Sequence, residues 1–247
     1  MDWDCEVETL FRERNLGCKI AVSSAIDWFF ENVEEGIILE DDCLPSQSFF
    51  WFCQELLELY RYDERFMLIG GNNRGVTFSK NCSYFFSKYI QIWGWATWRR
   101  SWEKYDYKIK KWELVKEQID NYIKIPNERK LRAKQFDSVY YNKLDTWDFQ
   151  WNFACLIHHS LAILPSLNMI SNIGFGNDAT HTTIDTGRVS SLINYEIKWP
   201  LIHPEYVVYN SEFERLYISN NKLDNVWIKC KGLFQKFSKK TKEYFRH

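Results

Sequence analysis

The sequence predicts an α/β fold on three observations. A short apolar run, Ile37-Ile38-Leu39, ends abruptly on Glu40-Asp41-Asp42, as a buried strand does where it leaves a sheet. Phe49, Phe52, Cys53, Leu56, Leu57 and Tyr60 then recur at three-and-four spacing, the apolar stripe of a helix. A second apolar run, Phe66 to Ile69, is stopped by Gly70-Gly71-Asn72-Asn73. Strand, helix, strand in this order is the repeating unit of α/β proteins.

The remaining elements are placed around that unit. Cys5 to Phe11 alternates loosely and predicts a strand, broken by the basic, Gly-containing loop Arg12 to Gly17. Ser23 to Asn32 carries Ala25, Ile26, Trp28, Phe29 and Phe30 and predicts a helix leading into the acidic strand. Pro45 should end any strand pairing, with Ser46 or Ser48 capping the next helix. Tyr84 to Ser87 reads as a short strand. Residues 101 to 144 are highly charged and read as helices interrupted at Pro126. Trp147 to Leu161 reads as one more helix, Ala162 to Pro165 as a strand, and Asn168 to Ser171 as another. Asn172 to Thr182 is a polar, Gly-bearing loop by composition. No repeat or linker divides the chain, so a single domain over 1–225 is expected, followed by a terminal helix over 226–247.

Composition narrows the function classes. Hydrophobic residues make up 45% of the 247 positions and charged residues 26%, enough for a buried core and too apolar for disorder. The net charge of −1 provides no footprint for nucleic acid. Seven scattered cysteines without a CxxC argue against a zinc site or a disulfide framework and for a reducing cytoplasm. No signal peptide opens the chain and no apolar run is long enough to span a bilayer. The 12 tryptophans suit either a sugar-handling surface or an aromatic core.

The acidic triplet carries the chemistry. Ligands of open α/β sheets bind at the carboxyl ends of strands, where Glu40, Asp41 and Asp42 are expected. A hard divalent cation would relieve their mutual repulsion and could bridge to nucleotide phosphates. A solvated acidic turn reads equally well from these residues alone.

Several stretches together resemble one family. Asn15-Leu16-Gly17 with its following helix, Leu39-Glu40-Asp41-Asp42, Gly94-Trp95-Ala96-Thr97-Trp98, Trp147-Asp148 and Asn172 to Thr182 resemble, in that order, the GT-A-fold glycosyltransferases of the nucleotide-diphospho-sugar transferase superfamily. The nearest types are bacterial surface-polysaccharide transferases and the N-acetylglucosaminyltransferases of N-glycan synthesis. The resemblance implies an inverting transfer from a nucleotide-sugar donor to a saccharide or lipid-linked acceptor, with Mn²⁺ or Mg²⁺ as cofactor. Asp42 would hold the metal, with His181 of the later loop completing its shell. Glu40 and Asp41 would bind the donor ribose or sugar, and Arg14, Asn15 and Lys19 the donor near its phosphates. Asp148 would be the general base, with Asp145 in reserve; an acid at a helix start is the competing reading for both. Trp95 and Trp98 would stack on acceptor sugars, or be buried in the core.

Family members place two further strand–helix units before a strand like residues 5–11, so the nucleotide-binding part is expected to be N-terminally truncated. A partner or self-association would then complete the sheet edge. A sugar nucleotidyltransferase on the same fold and a non-catalytic, sugar- or partner-binding remnant are the rival readings. The terminal segment alternates aromatics (Trp227, Phe234, Phe237, Tyr244) with lysines, the pattern of a helix lying on an anionic membrane face. This suits a peripheral protein at the inner face of the membrane.

Overall fold

The computed structural model describes residues 4–76, 81–174 and 192–219. Its contacts divide the chain into two compact units, Met1–Glu35 with Arg99–His158, and Gly36–Trp98 with His159–His247.

The second unit holds a five-stranded mixed sheet and a two-stranded ribbon. The strands are β1 (Glu35–Ile38), β2 (Cys43–Pro45), β3 (Phe66–Gly70), β4 (Tyr84–Ser87), β5 (Trp95–Trp98), β6 (Leu161–Pro165) and β7 (Ile170–Asn172). The sheet order is β1-β5-β3-β6-β4, with β3 parallel to β6 and antiparallel to β5, and β4 antiparallel to β6. β3 is buried at every position, as a central strand with both faces covered must be. Helix α2 (Ser48–Leu59) presents the stripe that its sequence spells out. Phe49, Phe52, Cys53, Leu56 and Leu57 enter one core with Phe66, Ile69, Trp98 and Ile163 of the sheet. Burying each such aromatic or aliphatic side chain stabilises the fold by roughly 1.5–3 kcal/mol. The Trp98 indole also donates to Leu57 O at 3.0 Å, which ties helix to sheet.

The first unit is helical: α1 (Gly17–Asn32), α3 (Arg99–Trp102), α4 (Trp112–Lys116), α5 (Ile119–Tyr122), α6 (Pro126–Tyr140) and α7 (Asp148–Ile157). Trp112, Phe136 and Phe153 meet edge-to-face at its centre. Trp102 stacks on Tyr105 and donates to Asp27 of α1 at 2.7 Å. Pro126, expected to interrupt the helices, opens α6, where its missing N–H has no helical partner to lose.

Three expectations are corrected and one strand is added. Residues 5–11 form no strand; Val7 and Phe11 are exposed, since alternation without an adjacent strand edge supplies no hydrogen bonds. α1 begins at Gly17, six residues before the expected start, because a carboxylate from elsewhere in the chain completes its N-terminus, as detailed below. Cys43–Pro45 is a strand that was not expected; Pro45, opposite Ile170, is its last residue and ends the pairing, at a strand-end position where its missing donor costs little. The expected helix ending at Leu161 stops at Ile157, and Leu161 opens β6 beside Phe66.

Candidate functional site: the acidic turn and the 145–148 stretch

Glu40, Asp41 and Asp42 lie in the turn between β1 and β2. β2 pairs antiparallel with β7, setting Cys43 opposite Asn172, and Ile173 donates its N–H to Asp42 O at 2.8 Å. This pairing draws together two of the singled-out stretches, the acid triplet and the start of the Asn172 loop. The contact is close: a Cβ on Gly174 would lie 2.4 Å from Asp42 Oδ2, so only glycine lets the backbone meet this carboxylate. The Asn172 side chain holds Gly174 in place by accepting its N–H at 2.8 Å. Apart from the resemblance, nothing in the sequence assigns Asn172 or Gly174 to the acids, since 130 and 132 residues separate them from Asp42.

Burial pushes the Cys43 thiol up to about 12, opposed by a hydrogen bond with the Glu40 backbone and reinforced by the charges of Asp42 and Glu40. Cys43 therefore stays a thiol at neutral pH, 3.5 Å from Asp42 Oδ1 and positioned to donate to it. Asp41 is exposed and Asp42 half-buried. Among the described residues no three His, Cys, Asp or Glu side chains cluster as a metal cage. A hard cation of the Mg²⁺ or Mn²⁺ type takes one or two carboxylates and fills its remaining positions with water and substrate phosphate, and Asp42 beside a bare glycine backbone fits that partial shell. His181, the other expected ligand, lies outside the described residues.

In the other unit, the 145–148 stretch uses its carboxylates differently. Asp145 accepts the N–H groups of Cys18 and Lys19 at 2.9 and 3.0 Å, closing the N-terminus of α1. Gly17, at φ +76°, makes the approach possible, since a Cβ there would sit 2.5 Å from Asp145 Oδ2. Asp145 is therefore a remote helix cap, in keeping with the competing reading of an acid at a helix start. Asp148 begins α7. It accepts from the Thr146 hydroxyl and from N–H groups at the helix start, yet burial outweighs these bonds and the nearby Arg132 charge and raises its carboxyl pKa. The buried Tyr105 hydroxyl, which feels the Asp148 charge, donates to Trp147 O at 3.2 Å.

The expected donor-binding cations are placed as follows. Asn15 accepts the Gly17 N–H at 2.8 Å, a turn that shapes the entry to α1, and Arg14 is exposed. Lys19 is buried, contrary to a surface phosphate contact. Its ammonium donates to Asn142 at 3.1 Å and lies 4.2 Å from the centre of the Tyr107 ring. Burial lowers its pKa, Asp145 opposes that, and Lys108 adds to it. With Lys108 and Lys110 it lines a pocket of about 400 Å³. Trp95 and Trp98, expected on the acceptor face, are core residues of β5 at 0% and 2% exposure and offer no face to a sugar.

No protein-family model matches the chain, and no curated protein sequence matches it significantly. Among the described residues no helix is long and apolar enough to cross a membrane. The segment 226–247 lies outside the described residues.

Proposed function

We propose that the chain is a metal-dependent, inverting glycosyltransferase of GT-A type, moving a sugar from a nucleotide-diphospho-sugar to a saccharide or lipid-linked acceptor. The observation that carries this reading is the Asp42 turn. Among the described residues Asp42 has a thiol as its one side-chain partner, and it lies against Gly174 at the mouth of a two-stranded ribbon. A carboxylate left this open at a strand exit is suited to a ligand and not to packing. Bound Mn²⁺ or Mg²⁺ would supply Lewis-acid neutralisation of the departing diphosphate. Asp42 would hold that ion, while Glu40 and Asp41, on the same turn, would accept hydroxyls of the donor.

An inverting transfer also needs a base for the acceptor hydroxyl. Asp148 suits it by chemistry: a carboxyl with a raised pKa binds a proton more readily than an ordinary aspartate. Cytoplasmic location, with the basic 227–247 segment resting on an anionic inner membrane face, belongs to the same reading.

Calorimetric titration with Mn²⁺ and a panel of UDP-, GDP- and dTDP-sugars tests the reading. At least one donor should bind only with metal present, and Asp42→Asn should lose that binding while keeping the wild-type circular dichroism spectrum. Normal metal-dependent donor affinity in Asp42→Asn would overturn the assignment. Binding without turnover against any acceptor would favour the non-catalytic remnant, and formation of a sugar nucleotide would favour the nucleotidyltransferase.

A further inference from the structure

The outer side of α2 carries a groove of about 880 Å³, bordered by Trp51, Gln54, Glu55 and Glu58 of the helix and by Ile197 and Trp199 of a later segment. Trp51 lies off the helix's core stripe and is 60% exposed; Trp199 is 46% exposed. Tryptophan is among the most buried side chains on average, so two open indoles lining one groove are a surface feature that folding alone does not explain. Both walls are held. Glu196 accepts the N–H groups of Gln47 and Ser48 at 3.0 and 2.8 Å, Ile197 N–H donates to Ser48 Oγ at 2.9 Å, and Tyr195 N–H donates to Asn168 O at 2.7 Å. The segment bearing Trp199 is thus tied to the first turn of α2, so little ordering remains for a ligand to impose.

The charges of the groove select the ligand. Among the described residues no lysine or arginine lines it, so a phosphorylated or otherwise anionic ligand finds no counter-charge there. Glu58 pairs with Arg61 and Glu55 lies 3.3 Å from His203, so the charge of each acid is partly offset while its carboxylate keeps further lone pairs for hydroxyl donors. The remaining ligand has broad C–H faces for indoles and many hydroxyls for carboxylate and amide acceptors. We infer that this groove binds a neutral oligosaccharide, with Trp51 and Trp199 as stacking platforms and Gln54, Glu55 and Glu58 as hydroxyl partners. The inference rests on the indoles and not on the acidic turn, so it stands or falls apart from the proposed transferase reaction.

Titration of the full chain, without metal or nucleotide, against the β-1,4-glucose, α-1,4-glucose, β-1,4-N-acetylglucosamine and α-1,6-mannose hexaoses tests it, read by tryptophan fluorescence and calorimetry. At least one hexaose should bind saturably. Trp51→Ala and Trp199→Ala should each weaken binding tenfold or more, with the folded spectrum unchanged because both rings are exposed. Asp42→Asn should bind the hexaose as the wild type does. The inference is overturned if no hexaose saturates or if binding survives the double Trp51→Ala, Trp199→Ala variant. It is equally overturned if a synthetic peptide of residues 226–247 binds the groove while the saccharides do not.

Discussion

The acidic turn at 40–42 and the stretch 145–148 contain the same kind of residue and use it in opposite ways. In the turn, Asp42 meets, among the described residues, a glycine backbone and a thiol. In the stretch, Asp145 accepts two helix N–H groups, and Asp148 is half-buried at the start of α7 with a hydroxyl and backbone donors around it. A carboxylate surrounded by N–H donors is a structural acceptor; the proposed function rests on Asp42 having, among the described residues, no such donors. The glycines make the same point, since Gly17 admits a carboxylate to a helix terminus and Gly174 brings backbone to a carboxylate that stays open.

The comparison is broken most severely at Asp148. On the transferase reading, Asp148→Asn should lower turnover about 10²–10⁴-fold with donor affinity unchanged. Its stability should move the other way. The folded-state pKa of Asp148 is raised above its unfolded value of about 3.9, so the folded state holds this proton more tightly. The resulting contribution to stability is fully present below the unfolded pKa and is lost as pH rises through the folded one. Asparagine carries no such charge, so the Tm of Asp148→Asn relative to wild type should climb between pH 3 and pH 8. A constant difference across that range would mean that the acid is well solvated.

A smaller change sharpens the same contrast from the open side. Gly174→Ala places a methyl against Asp42 and should weaken metal-dependent donor binding about tenfold, or roughly 1.4 kcal/mol, with little effect on Tm. Unchanged affinity, measured by calorimetry, would show that the Asp42 carboxylate works from another rotamer. The mildest test lies on the structural side. Asp145→Ala removes a helix cap and should cost about 1 kcal/mol of stability in urea unfolding, leaving donor affinity untouched. Loss of donor affinity without loss of stability would return Asp145 to the reacting centre.

Much of the architecture was legible in the chain itself, because it depends on neighbours in sequence. The stripe from Phe49 to Leu57 specifies α2 by its 3.6-residue period. The run Phe66–Ile69 followed by two glycines specifies β3, and Pro126 marks the start of α6. The acids of the turn were also evident, since three adjacent carboxylates have no packing explanation. What only the tertiary structure decided is which distant group each of these meets. Asp145 and Cys18 are 127 residues apart, and nothing in either segment names the other. Residues 5–11 alternate like a strand but find no edge, while Cys43–Pro45 forms a ribbon strand that ends at the proline because β7 arrives beside it. Trp95 and Trp98 are buried although Trp51 and Trp199 are open, a distinction set by which face of sheet or helix the core covers. Periodicity is a local property and survives in sequence. Hydrogen-bond partners and burial are set by chain closure over long separations, and only the folded chain contains that information.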